Sequence, residues 1–197
     1  MSKNEVKTIL LAGVGGQGTI LVSRILTQAL IDAGYDVKMS EIHGMAQRGG
    51  SVSTTVRYGE KVDSPLIGKG AADVLVAFEE MEAVRWSDWL KPEGVIVVND
   101  YRIPPLPVAS GAADYPDHCI GELESAFRTI AFDAGDQAVK LGNARVMNVM
   151  LLGAMAEAFG MDEFDWDSAL ERHVPARFLE INRQAFETGR KLARQSS

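Results

Sequence analysis

The chain has one cysteine, Cys119, among 197 residues. A single thiol excludes an intrachain disulfide and points to a reducing compartment. It also excludes an iron–sulfur cluster held by this chain alone, since such clusters need about four thiolates. Histidine is nearly as scarce, and His43, His118 and His173 give no metal-ligand spacing with Cys119. No run approaches the ~20 consecutive apolar residues of a membrane span. The start, Met-Ser-Lys-Asn-Glu-Val-Lys, lacks the apolar region and cleavage site of a signal peptide, so the cytoplasm is the expected location. Basic charge is in deficit: 20 Lys and Arg against 27 Asp and Glu leave a net charge of −7. That balance argues against a nucleic-acid partner, which needs a basic face to meet phosphates.

What is present fits a soluble globular chain with 46% hydrophobic residues and one substantial core. Strand-like and helix-like runs alternate, which predicts an α/β domain around a mainly parallel sheet. Strands are expected at Val6–Ala12, Asp36–Ile42, Ser51–Tyr58, Val74–Phe78, Val95–Asn99 and Phe127–Phe132. Gly59-Glu60 would turn Ser51–Tyr58 back onto Lys61-Val62 as a hairpin. Helices are expected at Gln17–Ala33, at Glu79–Leu90 with Lys91-Pro92-Glu93-Gly94 as its stop, at Ala144–Phe159, and from Pro175 toward Arg194. An acidic loop is expected around Asp162–Asp167. Pro104, Pro105, Pro107 and Pro116 make 102–119 an irregular arm. The whole, 1–197, reads as one Rossmann-like, doubly wound domain with a proline-rich excursion and a helical C-terminal part over 144–197.

Chemistry concentrates in two glycine loops. Gly13, Gly15 and Gly18 keep the G-x-G-x-x-G spacing after the first strand, with Gly16 and Gln17 between them. Bare amides at such a turn, backed by a helix N-terminus, suit a phosphate or carboxylate; the same glycines also serve simple close packing. A dinucleotide site further needs an acid about 20 positions on, and Glu41 lies near there. The second loop, His43-Gly44-Met45-Ala46-Gln47-Arg48-Gly49-Gly50, should lie at the carboxyl end of the second strand, beside the first. Arg48 can fork onto an anion or pair with Glu41, and Ser51 adds a hydroxyl. Asn148 either bonds a loop at the carboxyl edge or sits on the surface. Met147, Met150 and Met155 fit helix packing. Cys119 beside His118 is a loop or core thiol rather than a nucleophile–base pair, and Trp86 and Trp89 are core or interface residues.

Gly13-Val14-Gly15-Gly16-Gln17-Gly18 followed by His43-Gly44-Met45-Ala46-Gln47-Arg48-Gly49-Gly50 resembles the gamma-type subunit or domain of 2-oxoacid:ferredoxin oxidoreductases. The wording of the second loop is most similar to the indolepyruvate branch, where the small component is called the beta subunit. Ala72–Ala77 and the Asn148 helix with Leu152-Gly153 extend the likeness along nearly the whole chain.

The resemblance implies oxidative decarboxylation of an aryl 2-oxoacid, with coenzyme A as cosubstrate and ferredoxin taking the electrons through the complex. It places thiamine diphosphate and the iron–sulfur clusters on a large alpha subunit, leaving this chain no tightly bound cofactor, metal or catalytic residue, and inactive alone. Gly13, Gly15, Gly16, Gln17, Gly18, His43, Gln47, Arg48, Gly49, Gly50 and Asn148 then form the set facing coenzyme A. Two other readings stay open: a free-standing oxidoreductase binding NAD or FAD, and a purely structural subunit. An unmatched interface also leaves a homodimer open for the isolated chain.

Overall fold

The structure is a computed structural model that describes residues 5–43 and 49–196. Its centre is a six-stranded sheet in the order β2-β3-β1-β4-β5-β6. The strands are β1 (Lys7–Val14), β2 (Asp36–His43), β3 (Ser51–Gly59), β4 (Ala72–Ala77), β5 (Leu90–Asn99) and β6 (Arg128–Phe132). β1, β4, β5 and β6 pair in parallel, whereas β3 pairs antiparallel with both β1 and β2. The fold is therefore α/β with a mostly parallel sheet.

Helices cover both faces, as the near-continuous apolar runs of the central strands require. The β4 run Ala-Asp-Val-Leu-Val-Ala is buried throughout. Its Val74 and Val76 join the core shared with α1 (Thr19–Asp32), α5 (Ala134–Lys140), α6 (Met147–Ala158), α7 (Trp166–His173) and α8 (Ala176–Gln195). Its Leu75 and Ala77 turn to the other face, against α2 (Glu80–Ser87) and α4 (Cys119–Ala126). The remaining helix, α3 (Leu106–Ala109), interrupts the stretch between β5 and α4.

Several expectations change. Ser51–Tyr58 does not fold back onto Lys61-Val62; it inserts between β1 and β2, with Ile9 opposite Val56 and Met39 opposite the same residue. The Val- and Thr-rich run is buried on most of its length, so two partners cover it where a hairpin would supply one. Helix α2 ends at Ser87, and Lys91–Gly94 lies within β5, where the register with β4 slips between Ala72 and Val74. The acidic stretch is partly helical: Asp165 caps α7 by accepting the Ser168 N–H at 3.0 Å, and Trp166 buries its ring in the core.

Helix α6 is buried on every side from Asn148 to Ala156, so it reads as apolar all round rather than amphipathic. It touches α8 at two glycines. A Cβ on Gly153 would stand 2.0 Å from Phe186 O, and one on Gly189 would stand 1.9 Å from Met150 O. The backbones therefore meet directly. At the end of the seam Glu157 accepts from Arg194 Nε at 2.7 Å and Arg190 Nε at 3.0 Å. The Arg194 bond holds the Glu157 carboxyl below its ordinary pKa against the opposing effect of burial, with Arg190 assisting.

Gly189→Ala should destabilise the fold by about 3 kcal/mol, because the helices must part. Gly121→Ala, on the open face of α4, should stabilise it by about 0.5–1 kcal/mol, since a Cβ there meets nothing within 4 Å. Urea unfolding of both variants checks the opposite signs. A folded-state pKa below the unfolded one stabilises above the unfolded value, and that gain is lost as pH falls. Wild type should thus exceed Glu157→Gln in stability at neutral pH, and the two should converge as pH drops from about 5 to 3.

Candidate functional site

The carboxyl ends of β1, β4, β5 and β6 meet along one edge of the sheet, where ligands of open α/β sheets collect. There the chain leaves β1 through the first glycine loop and enters α1. Gly18 precedes the helix at φ +85°. That left-handed conformation favours glycine, and a Cβ would stand 2.3 Å from Asn148 Nδ2. Among the described residues no side chain caps α1, and its first turn holds no acidic residue. The positive end of the helix therefore faces the edge without a built-in counter-charge.

One carbonyl organises the edge. Phe78, directly after β4, offers its C=O to Gln17 Nε2 at 2.7 Å and to Asn99 Nδ2 at 3.2 Å. Each of these side-chain amides also accepts a backbone N–H: Gln17 Oε1 from Val14 at 2.8 Å, Asn99 Oδ1 from Ala134 at 2.8 Å. Gln17 lines the cleft while both heteroatoms of its amide are turned to backbone. Asn148 is buried, donates to Gly18 O at 3.3 Å and accepts the Val149 N–H. Of its two open readings, the loop contact is the one observed.

The two glycine loops touch. Gly15 N–H donates to Gly50 O at 2.9 Å, and Gly49 N–H donates to Gly15 O at 3.4 Å. Contact comes through the start of β3, which lies between β1 and β2. Glu41 consequently stands on a strand two positions from β1, and it accepts from Ser23 Oγ on α1 at 3.1 Å. The Ser51 hydroxyl donates to Glu82 on α2 at 2.5 Å. The backbone of His43 ends β2 opposite Val52. Gln47 and Arg48, with the His43 side chain, lie outside the described residues.

Between the first glycine loop, α5 and the start of α6 opens a cleft of about 950 Å³. Gly16, Gly18 and Asn148 form its polar wall; Leu21, Tyr101, Ile103, Val139 and Met147 form an apolar one. Arg145, exposed at the rim beside Asn148, is the cationic lining residue among those described. The rim carboxylates are engaged locally, since Asp133 caps α5 by accepting the Asp136 N–H, and Asp136 pairs with Lys140. A cleft of this size and mixed lining suits an elongated anionic ligand with an apolar part. Arg145 and Tyr101 stand outside the sequence motifs, because an arginine ahead of a helix and a tyrosine in a proline-rich stretch carry no pattern of their own.

On the other face, three adjacent buried carboxylates, Glu79, Glu80 and Glu82, begin α2. Burial pushes the Glu80 carboxyl up, the Arg102 guanidinium pulls it back, and Asp100 adds to the rise. Burial and then Glu79 raise the Tyr115 hydroxyl. Cys119 is a buried thiol, raised first by burial, and its Sγ–H donates to Pro116 O at 3.4 Å. The rings of Trp86 and Trp89 meet at a tilt of 54° with centroids 4.8 Å apart, partly buried against the same face. Among the described residues, no group of three or more His, Cys, Asp or Glu side chains is gathered to hold a metal ion.

Asn99→Leu should lower the unfolding free energy by about 2 kcal/mol by leaving the Ala134 N–H unpaired. Gln17→Leu combined with Asn99→Leu should cost about 0.5–1 kcal/mol more than the sum of the singles, because only the pair strips the Phe78 carbonyl of both donors. A denaturation cycle over the four proteins measures this excess.

Known proteins share this architecture and sequence. The family model for pyruvate ferredoxin/flavodoxin oxidoreductase matches residues 8–192. The indolepyruvate oxidoreductase subunit IorB of Thermococcus kodakarensis is 38% identical over 193 residues, covering 95% of this chain and 96% of that one. The gamma subunit of a keto/oxoacid ferredoxin oxidoreductase from Geobacter sulfurreducens superimposes with a TM-score of 0.72 at 27% identity, covering 96% of this chain and 99% of that one. A 2-oxoglutarate:ferredoxin oxidoreductase from Magnetococcus marinus, solved with 2-oxoglutarate, coenzyme A and succinyl-CoA bound, has the same fold over 98% of this chain and 32% of that one, with a TM-score of 0.76 at 22% identity. With 38% identity along almost its whole length, the chain belongs to the pyruvate ferredoxin/flavodoxin oxidoreductase family, as a relative of its indolepyruvate oxidoreductase subunits.

Proposed function

We propose that this chain is the small subunit of a cytoplasmic complex that oxidatively decarboxylates indolepyruvate or a similar aryl 2-oxoacid to its acyl-CoA and passes the electrons to ferredoxin. The likeness to IorB supports the substrate class. The observation that carries the role of this chain is the cleft at the carboxyl edge, where an uncapped helix N-terminus, Asn148 and Arg145 adjoin an apolar wall. Coenzyme A presents both matching parts: phosphates for the amides and the arginine, and an apolar face of adenine or pantetheine for Tyr101, Ile103 and Val139. In the Magnetococcus enzyme, which binds coenzyme A, the same fold spans about a third of the chain.

Thiamine diphosphate and the iron–sulfur clusters belong to a larger alpha subunit in this reading. The donor set here agrees, because Cys119 is the sole thiol and its sulfur is buried against Pro116. Thiamine diphosphate would supply the electron sink for decarboxylation and the clusters the path to ferredoxin. This chain binds and orients coenzyme A: the Gly16 and Gly18 side of the loop and Arg145 hold the phosphates, with Arg48 completing the grip from the second loop.

Co-expressed with a thiamine- and cluster-bearing partner, the pair should reduce a dye only when both indolepyruvate and coenzyme A are supplied. Arg145→Ala and Arg48→Ala should each raise the KM for coenzyme A by about tenfold, the size of one lost charge-assisted contact, with a smaller change in kcat. If both variants keep the wild-type KM and instead dissociate from the partner, the chain is a structural subunit. Dye reduction by the isolated chain with NAD or FAD would replace the proposal altogether.

A further inference from the structure

Residues 100–118 leave the carboxyl end of β5 and rejoin the body at α4. Both ends of this strap are tied to the same place, Glu79–Met81 at the start of α2. At the outgoing end, Glu80 N–H donates to Tyr101 O at 3.1 Å, Arg102 Nε donates to both Glu80 oxygens at 3.1 Å, and Ile103 N–H donates to Glu79 Oε1 at 3.1 Å. At the returning end, the Tyr115 hydroxyl donates to that same Glu79 oxygen and accepts the Met81 N–H at 3.1 Å. The two ends also meet each other, since the Arg102 guanidinium lies 5.1 Å from the centre of the Tyr115 ring. Between them, the hydrogen bonds of α3 and its following turns are local, and Leu106 is 82% exposed.

Glu79 and Glu80 are 1% and 3% exposed, and carboxylates so deeply buried are costly unless fully bonded. Glu79 divides its two oxygens: Oε2 caps α2 by accepting the Glu82 N–H, and Oε1 serves the strap. The strap in turn reaches the ligand cleft. Tyr101 and Ile103 line the cleft, while Arg102 between them turns away to Glu80. Arg102 is chain neighbour to both cleft-lining residues, so gripping it also restricts where Tyr101 and Ile103 can stand.

We infer that Glu79 and Glu80 form a latch that sets the apolar wall of the cleft, and that they are positioning residues for coenzyme A through Tyr101 and Ile103. The inference rests on the coenzyme A reading of the cleft. Cys119 reports on the latch. It is 1% exposed, next to the returning end, and bonded to Pro116 of the strap.

The strap side is the place to break the latch, since Glu79 also caps α2. In the full chain, Arg102→Leu with Tyr115→Phe should raise the labelling rate of Cys119 by a disulfide reagent about tenfold or more, while circular dichroism stays native and unfolding stays cooperative at a lower midpoint. In the complex with the partner, the same variant should raise the KM for coenzyme A about fivefold and change kcat less than about twofold, and Arg102→Lys should recover part of the loss. An unchanged labelling rate overturns the latch. Faster labelling with an unmoved KM overturns the positioning role; there, a KM shifted by Arg145→Ala leaves the cleft assignment standing, and a KM unmoved by it removes that assignment as well.

Discussion

The Phe78 carbonyl lies at the point where the parallel strands run out, and it would be an orphan acceptor without side-chain help. Gln17 and Asn99 both donate to it; the Gln17 oxygen accepts the Val14 N–H of its own loop, and the Asn99 oxygen accepts the Ala134 N–H of a further segment. Four pieces of chain are thereby joined: the first glycine loop, the end of β4, the end of β5 and the start of α5. A primary amide can make this link because it carries donor and acceptor in one plane and no charge. A carboxylate at either position would set lone pair against lone pair and would also have to be desolvated. The floor of the cleft inherits its rigidity from this neutral knot.

A second constraint acts from behind. The glycine contact between α6 and α8 brings the backbones together and holds α6 in the core, with Asn148 in its first turn. From there Asn148 meets Gly18, where φ +85° and the lack of a Cβ allow the approach. The wall of the cleft is thus set by how closely two helices pack at Gly153 and Gly189, further along the same helices. Packed backbone transmits position, because it has no rotamers to absorb a displacement.

The strands and the first and last helices are legible in the sequence because each follows one period. Alternating or continuous apolar runs mark β1, β4, β5 and β6, and the spacing of Ile25, Leu26, Ala29 and Leu30 marks α1. Sheet order is not legible. Ser51–Gly59 carries the residues of a buried strand, but nothing in it says whether it lies beside Lys61-Val62 or between β1 and β2; long-range packing decides. The first glycine loop is legible as a loop, and the contact of Gly15 with Gly49 and Gly50 matches the expected neighbourhood. In sequence, Glu79 and Glu80 look like an ordinary helix start, because a carboxylate at an N-terminus usually faces water. Their burial depends on a strap that arrives more than 20 residues later in the chain.

The distribution of charge along the edge completes the logic. Four carboxylates close to the cleft are engaged by near neighbours. Asp133 caps a helix, Asp136 pairs with Lys140, and Glu79 and Glu80 bind the strap. Their negative charge is therefore directed at backbone N–H groups and cations rather than projected into the cleft. The open end of α1 and the Arg145 side chain contribute the opposite sign there. A chain with a net charge of −7 in this way presents a helix N-terminus and an arginine at one edge. Long-range repulsion from the rest of the acidic surface is weakened beyond about 8–10 Å by salt, while the amides and the arginine act at contact distance. An anion arriving at this edge meets the local field first.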